Sequence, residues 1–314
     1  MGRFAGHRLM PVMVMTALIA AAPLFFPSAY YYRIAALVFV FAIAAVGLNL
    51  LMGFAGQVSL GHAGFIGIGA YAVAIGPTQL GLTSWQSLLA GAALSGLVAF
   101  VVGRPILRLR GHYLAVATLG FGLLVNIVLT NEAGITGGPD GVNVERLTLF
   151  GWRIRDAGAW YWISAGTLLV GVALACNLID SPTGRALRAI HDSEVAALTV
   201  GIDVGAKKLA IFAVSAIYAS VAGSYLALIN GHVTPDVSGF LYSIQLVAMV
   251  VLGGMGSAGG PLAGAAVLVL LPQALTALHD YEQMVLGLAI MGVMIFMRRG
   301  IVPSLAGVAL RWRP

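Results

Sequence analysis

Residues 34–65 read IAALVFVFAIAAVGLNLLMGFAGQVSLGHAGF, a stretch that contains no charged side chain. Residues 34–52 are almost entirely apolar and long enough to cross the hydrocarbon core of a bilayer, which takes about 20 helical residues. Glycine then recurs among Gln57, Ser59 and His62, and glycine at this density breaks a helix. The stretch therefore predicts a membrane-spanning helix followed by a break, which a membrane tolerates only where protein or a water-lined path satisfies the freed backbone groups.

The composition of the whole chain also indicates a membrane protein. Of its 314 residues 60% are hydrophobic and 9% are charged, whereas a soluble domain is about 45–50% apolar and about 25% charged. This small number of charged groups cannot cover the surface of a soluble fold of this size. A soluble enzyme is therefore excluded, and the lipid bilayer is the expected environment. The net charge of +6 is interpreted as basic loops facing the cytoplasm, not as nucleic-acid binding. The single cysteine, Cys176, excludes an internal disulfide, and no metal or cofactor is expected.

The charge-free intervals predict ten spans in a single transmembrane domain, residues 1–314, at 9–27, 34–52, 58–77, 85–107, 113–131, 159–179, 208–229, 241–255, 261–278 and 284–297. With the N-terminus inside, 13 of the 17 Lys and Arg residues face the cytoplasm, as the positive-inside rule requires. We therefore expect an all-α polytopic fold with broken, glycine-rich helices and both termini inside. Its main loops are a periplasmic one at 132–158 and a cytoplasmic one at 180–207, and a bacterial or organellar inner membrane is expected.

The predicted spans lack the ionisable groups that proton-driven carriers use. His62 is the one titratable side chain deep enough for a proton relay, and a lone histidine in a span more often serves helix packing. Sodium coupling through backbone carbonyls stays open. The sequence has no G-x-x-x-x-G-K-[ST] phosphate loop, so this chain does not hydrolyse ATP. A polytopic protein without a motor of its own indicates a motor on another chain.

Two glycine-rich segments, at 53–71 and 253–264, are the candidate substrate path. Broken helices expose backbone N–H groups that can hold a carboxylate. The candidate pathway residues are Gly56, Gln57, Ser59, His62, Phe65, Tyr71, Gly256 and Ser257. Ser59 is expected to N-cap the helix that follows Gly56 and Gln57. The alternative is helix packing, for which Gly256, Gly260 and Gly264 form a small-residue face with a spacing of four; it stays open for the second segment.

The loop at 180–207 carries two predicted short helices. Ser181 and Pro182 are typical of a helix start, and Ser193 caps a second helix that Gly201 ends. Val195 and Leu198 share one face of this second helix. An exposed apolar stripe of this kind suits docking into a groove of another protein or rest on the membrane surface.

Four stretches in this order resemble LivM-type permeases of branched-chain amino-acid ABC importers. They are GLNLLMGFAGQVSLGHAGF at 47–65, TGGPDG at 136–141, GRALRAIHDSEVAA at 184–197 and GGMGSAGGP at 253–261. The resemblance implies a heteromeric importer in the bacterial inner membrane. Its other parts would be a second, LivH-like permease, two cytoplasmic ATPase subunits and a periplasmic amino-acid-binding protein. Related permeases that move urea, amides or other amino acids look similar.

The resemblance also implies that the short helix after Ser193 is the coupling helix that docks into the ATPase. The expected coupling residues are Arg188, Ser193, Glu194, Val195, Ala196, Ala197, Leu198 and Gly201. The match to the general importer pattern E-A-A-x-x-x-G is inexact, because Val195 separates Glu194 from the two alanines and no Ile-x-Leu-Pro follows.

Two rival functions remain from the residues alone. One is a stand-alone secondary carrier or channel, which would transport without ATP or partner subunits. The other is an intramembrane enzyme that uses His62 with Ser59, three residues apart and so on one face of a helix. This enzyme would lack a carboxylate partner near in sequence.

Overall fold

The computed structural model describes residues 5–149, 152–154 and 156–274, with positions 287, 288, 291, 292, 295, 297 and 300–304 beyond them. Within this part the chain is predominantly α-helical. The helices in chain order are α1 (Ala5–Ala21), α2 (Ala29–Asn49), α3 (His62–Gln79), α4 (Ser84–Ile106), α5 (His112–Asn131), α6 (Ala133–Thr136), α7 (Ala157–Asp180), α8 (Pro182–Asp192), α9 (Glu194–Thr199), α10 (Val204–Asn230), α11 (Phe240–Gly253) and α12 (Gly260–Ala274).

Short strands join the loops between helices. Strand β1 (Val142–Asn143) pairs antiparallel with β4 (His232–Val233), and β2 (Thr148–Leu149) pairs antiparallel with β3 (Trp152–Arg153). The β1–β4 ladder ties the predicted periplasmic loop to the connection between α10 and α11.

Among the described residues, five helices are long and apolar enough to cross a membrane: α2 with its extension to Phe54, α4, α5, α7 and α10. Shorter apolar helices cover Val12–Phe25, Phe240–Gly253 and Gly260–Gln273. A helix overlies each of the first nine predicted spans, so a polytopic, all-α membrane fold is confirmed. The tenth span, at 284–297, lies largely outside the described residues. The total of ten spans and their orientation in the membrane therefore stay predictions.

The spanning helices differ in how far the protein covers them. Helix α2 is 83% buried over its most apolar window, whereas α4, α5 and α7 are each 28% buried. All four are apolar on every side, a pattern that fits either a protein core or a lipid-facing position. The helix contacts distinguish the two cases: α2 packs against α7, α10 and α12 at the centre, and α3 packs against both α4 and α10, which also contact each other.

Glycine permits a close helix crossing between α3 and α10. A Cβ at Gly69 would lie 2.0 Å from the carbonyl oxygen of Ser220, and one at Gly223 would lie 2.0 Å from that of Ile66. Only glycine allows two helix backbones to approach so closely, which is how membrane helices gain packing energy without a hydrophobic driving force.

The bundle has two distinct ends. At the end that we call the α8–α9 end, Arg110 of the α4–α5 turn reaches Glu194 of α9, and Gly53 after α2 lies against Gly256 after α11. At the opposite end, which we call the β end, lies the β1–β4 ladder, and Gln79 Nε2 donates a hydrogen bond of 3.4 Å to the carbonyl of Ile135.

Candidate functional site

The first glycine-rich break is a non-helical segment inside the bundle. Helix α2 loosens into a π-helical turn at Leu50–Phe54, Gly56 adopts a left-handed φ of 66°, and α3 begins only at His62. Side chains of neighbouring helices satisfy the freed backbone: Leu60 N–H donates to Thr118 Oγ1 at 3.1 Å, and Ala63 N–H donates to Ser243 Oγ at 3.1 Å. The break is thus built into protein, as a membrane requires of irregular backbone.

Ser59 does not cap α3, contrary to the sequence prediction. Gly61 occupies the N-cap position and forms no side-chain cap bond. Ser59 precedes the helix, and its Oγ lies 2.8 Å from His62 Nδ1. The prediction was wrong because a tertiary contact, from Leu60 N–H to Thr118 of α5, holds the chain before His62 in a non-helical path. Ser59 and His62 therefore do not share a helix face.

His62 is a fully paired, buried side chain. Its Nδ1 contacts Ser59, its Nε2 lies 2.6 Å from Ser215 Oγ, and it is 1% exposed. The rings of Phe65 and Phe212 meet it edge-on, at 5.8 and 6.0 Å between ring centres. Ser215 is the twelfth residue of α10, so the imidazole sits roughly 16 Å along that helix at 1.5 Å per residue. With two serine hydroxyls and no carboxylate as described partners, this histidine fits a structural role better than catalysis or a proton relay.

The second glycine-rich break packs against the first. Asn49 Oδ1 accepts a hydrogen bond from Gly256 N–H at 2.9 Å, and Asn49 Nδ2 donates to the carbonyl of Ser257 at 2.9 Å. A Cβ at Gly53 would lie 2.3 Å from the Gly256 nitrogen. The Ser257 hydroxyl bonds within its own turn, to the carbonyl of Gly254 at 2.8 Å. One asparagine therefore joins the two breaks.

The second break also shows the packing that the glycine spacing predicts, with one correction. A Cβ at Gly264 would lie 1.8 Å from the carbonyl oxygen of Met249, so this glycine sets the approach of α12 to α11. Gly256 does not share that helix face. It precedes α12, which begins at Gly260, and adopts a left-handed φ of 73°.

Two predicted pathway residues carry buried polar atoms that have no hydrogen-bond partner in the described part of the chain, Gln57 Oε1 and the Tyr71 hydroxyl. Tyr71 also lines a cavity of about 320 Å³ between α3 and α4, whose wall includes Ile68, Leu94 and Leu129. An unpaired polar group in an apolar setting costs free energy. Tyr71 and Gln57 are thus the predicted residues with hydrogen-bonding capacity to spare.

Helices α8 and α9 begin as the sequence predicts. Ser181 Oγ accepts a bond from Gly184 N–H and Ser193 Oγ accepts one from Ala196 N–H, so both serines are N-caps. The chain leaves α9 through Gly201, whose φ is 80°. Arg188 turns back, and its guanidinium donates to the carbonyl of Ile179 at 2.7 Å. It therefore ties α8 to the end of α7.

Helix α9 has an inner and an outer face. Ala197 is 1% exposed, whereas Val195 and Leu198 are 65% and 53% exposed, and Val200 just beyond the helix is 74% exposed. The predicted apolar stripe is therefore present and uncovered by the described part of the chain. Ala196 is also exposed.

The carboxylate of Glu194 points into this chain. It pairs with Lys208 of α10, which is 3% exposed, and its Oε2 lies 3.5 Å from Arg110 Nε. The sequence reasoning counted Lys208 only among the basic loop residues. Its position just inside an apolar helix was the signal that it needs a partner, but a partner 14 residues away leaves no local trace.

Helix α8 contacts the first break. A Cβ at Gly56 would lie 3.0 Å from Cδ2 of His191, near the end of α8. The short helices at this end and the candidate path are thus in direct contact, which sequence spacing did not show.

Comparison with known proteins gives the family. Residues 30–297 match the family described as "Branched-chain amino acid transport system / permease component". The chain is 33% identical, over 294 residues, to the high-affinity branched-chain amino acid transport system permease protein LivM of Escherichia coli K12, covering 86% of this chain and 69% of that protein. It is 25% identical over 287 residues to the high-affinity branched-chain amino acid transport system permease protein LivH of Salmonella typhimurium, covering 83% of this chain and 91% of that protein.

A permease for a sugar is also similar to this chain. The ribose import permease protein RbsC of Escherichia coli K12 is 28% identical over 295 residues, covering 88% of each chain. No solved structure matches the chain. The chain belongs to the family of permease components of branched-chain amino acid transport systems, and is a transport component and not an enzyme.

Proposed function

We propose that this chain is one of the two transmembrane permease subunits of an ATP-driven importer for branched-chain amino acids in the bacterial inner membrane. Its partners are a LivH-like permease, two cytoplasmic ATPase subunits and a periplasmic amino-acid-binding protein. The observation that carries the proposal is the uncovered apolar face of α9, Val195 and Leu198, on a permease-family chain that has no phosphate loop of its own.

The orientation that follows places the α8–α9 end in the cytoplasm, with ten spans and both termini inside. Basic residues support it, since the end of α4, the α4–α5 turn, α8 and the start of α10 carry Arg104, Arg108, Arg110, Arg185, Arg188, Lys207 and Lys208. The β end carries Arg33, Arg146 and Arg153, and the first two of these line one cavity there with Asn230. The excess of basic residues at one end is what the positive-inside rule expects of a cytoplasmic face.

Transport would proceed by alternating access without chemistry in this chain. Closure of the ATPases moves α8 and α9, and contact of His191 with Gly56 passes that motion to the first break. We place substrate beside Tyr71 and Gln57, whose polar atoms lack partners. The other residues of the path are its supporting walls: Gly56, Ser59, His62, Phe65, Gly256 and Ser257.

The test is reconstitution of the complete importer in lipid vesicles, with ATP inside and labelled leucine and binding protein outside. Leu198→Asp should abolish uptake and release the ATPases during purification, because a carboxylate on the docking face opposes burial in a groove. Leu198→Met keeps the face apolar and should retain both.

Three outcomes would contradict the proposal. Uptake by this chain alone without ATP would identify a secondary carrier or channel. Uptake of urea or amides in place of leucine would identify a related permease with another substrate. Full ATPase binding by Leu198→Asp would remove α9 as the docking helix.

A further inference from the structure

Lys208 poses a specific problem for the fold, because it is an ammonium group buried in the second turn of α10. Its side chain is 3% exposed, and removing a charge from water is costly unless it is paired. Its partner is Glu194 at the first position of α9, whose side chain is 24% exposed. Arg110, 70% exposed, adds a longer contact to the same carboxylate from the α4–α5 turn.

The rest of the α9 attachment is small. Ala197 lies three residues after Glu194 and so on the same side of the helix. It joins Ile190 and Val204 in an apolar cluster separate from the main core. Within the described part of the chain, the inner face of α9 is therefore held by the small cluster around Ala197, the Glu194–Lys208 pair and the outer contact of Arg110.

The ion pair leads along α10 to the candidate path. Lys208 and Ser215 are seven residues apart, close to two helical turns, so they lie on the same side of α10. Ser215 Oγ lies 2.6 Å from His62 Nε2, at the start of α3. A displacement of α9 thus reaches the first break through a single continuous helix.

We propose that Glu194 and Lys208 form a second mechanical link between the coupling helix and the transmembrane path, beside the contact of His191 with Gly56, and that Glu194 does not contact the ATPase. Glu194 is then a positioning residue, while Val195 and Leu198 do the docking. This inference rests on the proposed function, since it assigns the two faces of α9 separate tasks within the same coupling step.

The experiment measures three quantities on the complete reconstituted importer: ATPase binding, ATP hydrolysis, and leucine transported per ATP hydrolysed. Glu194→Gln and Lys208→Met should keep ATPase binding and hydrolysis while transport per ATP falls about tenfold, within the usual range of coupling between sites. The reversed pair, Glu194→Lys with Lys208→Glu, should recover a large part of that ratio.

A buried charge without its partner could prevent folding of the single variants. The double variant Glu194→Gln with Lys208→Met removes both charges and leaves neither unpaired, so it should accumulate in the membrane. It should show the same fall in transport per ATP with intact ATPase binding, which a purely stabilising role would not produce.

Two results would overturn the inference. Wild-type transport per ATP in the double variant would show that the pair transmits nothing. Loss of ATPase binding by Glu194→Gln would show that Glu194 belongs to the docking surface. After either result, the proposed function would still stand if Leu198→Asp loses ATPase binding. Full ATPase binding by Leu198→Asp would instead contradict the proposed function.

Discussion

Individual polar side chains in this bundle separate into those that are fully paired and those that are not. His62 contacts a serine through each ring nitrogen, and Asn49 bonds the backbone of the second break through both amide atoms. The Tyr71 hydroxyl and Gln57 Oε1 lie equally deep without a partner. A buried polar atom without a partner calls for an explanation, such as a bound water, an ion or a functional contact.

Tyr71→Phe tests whether the unpaired hydroxyl belongs to the path. Removing it should leave the thermal unfolding midpoint unchanged or raised, because an unsatisfied buried hydroxyl costs about 1–3 kcal/mol. Leucine uptake should fall, through a higher KM. Tyr161→Phe is the matched control: its hydroxyl donates to the carbonyl of Ile19 at 2.6 Å, so its loss should lower stability and leave KM unchanged. An unaltered KM in Tyr71→Phe would remove this residue from the path.

Asn49→Leu tests the junction of the two breaks. The change removes both hydrogen bonds that Asn49 makes to the second break, and each such bond contributes about 0.5–1.5 kcal/mol to stability. The unfolding midpoint in detergent should drop clearly. Asn177→Leu, at an exposed position of α7, should cause no such drop. Equal midpoints for the two variants would show that the junction contributes nothing.

The helices show which boundaries local sequence determines. The starts of α8 and α9 followed from Ser181, Pro182 and Ser193, because capping is an interaction within one turn. The start of α3 did not follow, since Thr118 of α5 binds the chain just before it at Leu60, and Ser243 of α11 accepts from Ala63 N–H in its first turn. The same holds for the candidate site: its glycine-rich segments were visible, but the pairing of Lys208 with Glu194 is a tertiary contact.

Gly69→Ala should separate α3 from α10. The new Cβ would lie 2.0 Å from the Ser220 carbonyl oxygen, and overpacking of this kind costs typically about 1–3 kcal/mol. We expect a lower unfolding midpoint and loss of uptake. Gly166→Ala in α7 has nothing within 4 Å of its Cβ and should be neutral or stabilising, since alanine favours helix. Wild-type uptake in Gly69→Ala would mean that the crossing of α3 and α10 accommodates the added methyl group without loss of transport.

The whole bundle places basic residues unequally between its ends, and this inequality predicts its orientation in the membrane. In a Cys176→Ala background, single cysteines at Glu145 and Asp192 replace exposed acidic residues of the β end and the α8–α9 end. A membrane-impermeant maleimide added to intact spheroplasts should label Glu145→Cys at once. It should label Asp192→Cys only after the membrane is opened, because the basic end stays in the cytoplasm. Labelling of Asp192→Cys in intact spheroplasts would show that the topology is the reverse of the one proposed. It would also contradict the assignment of α9 as the helix that docks into the ATPase.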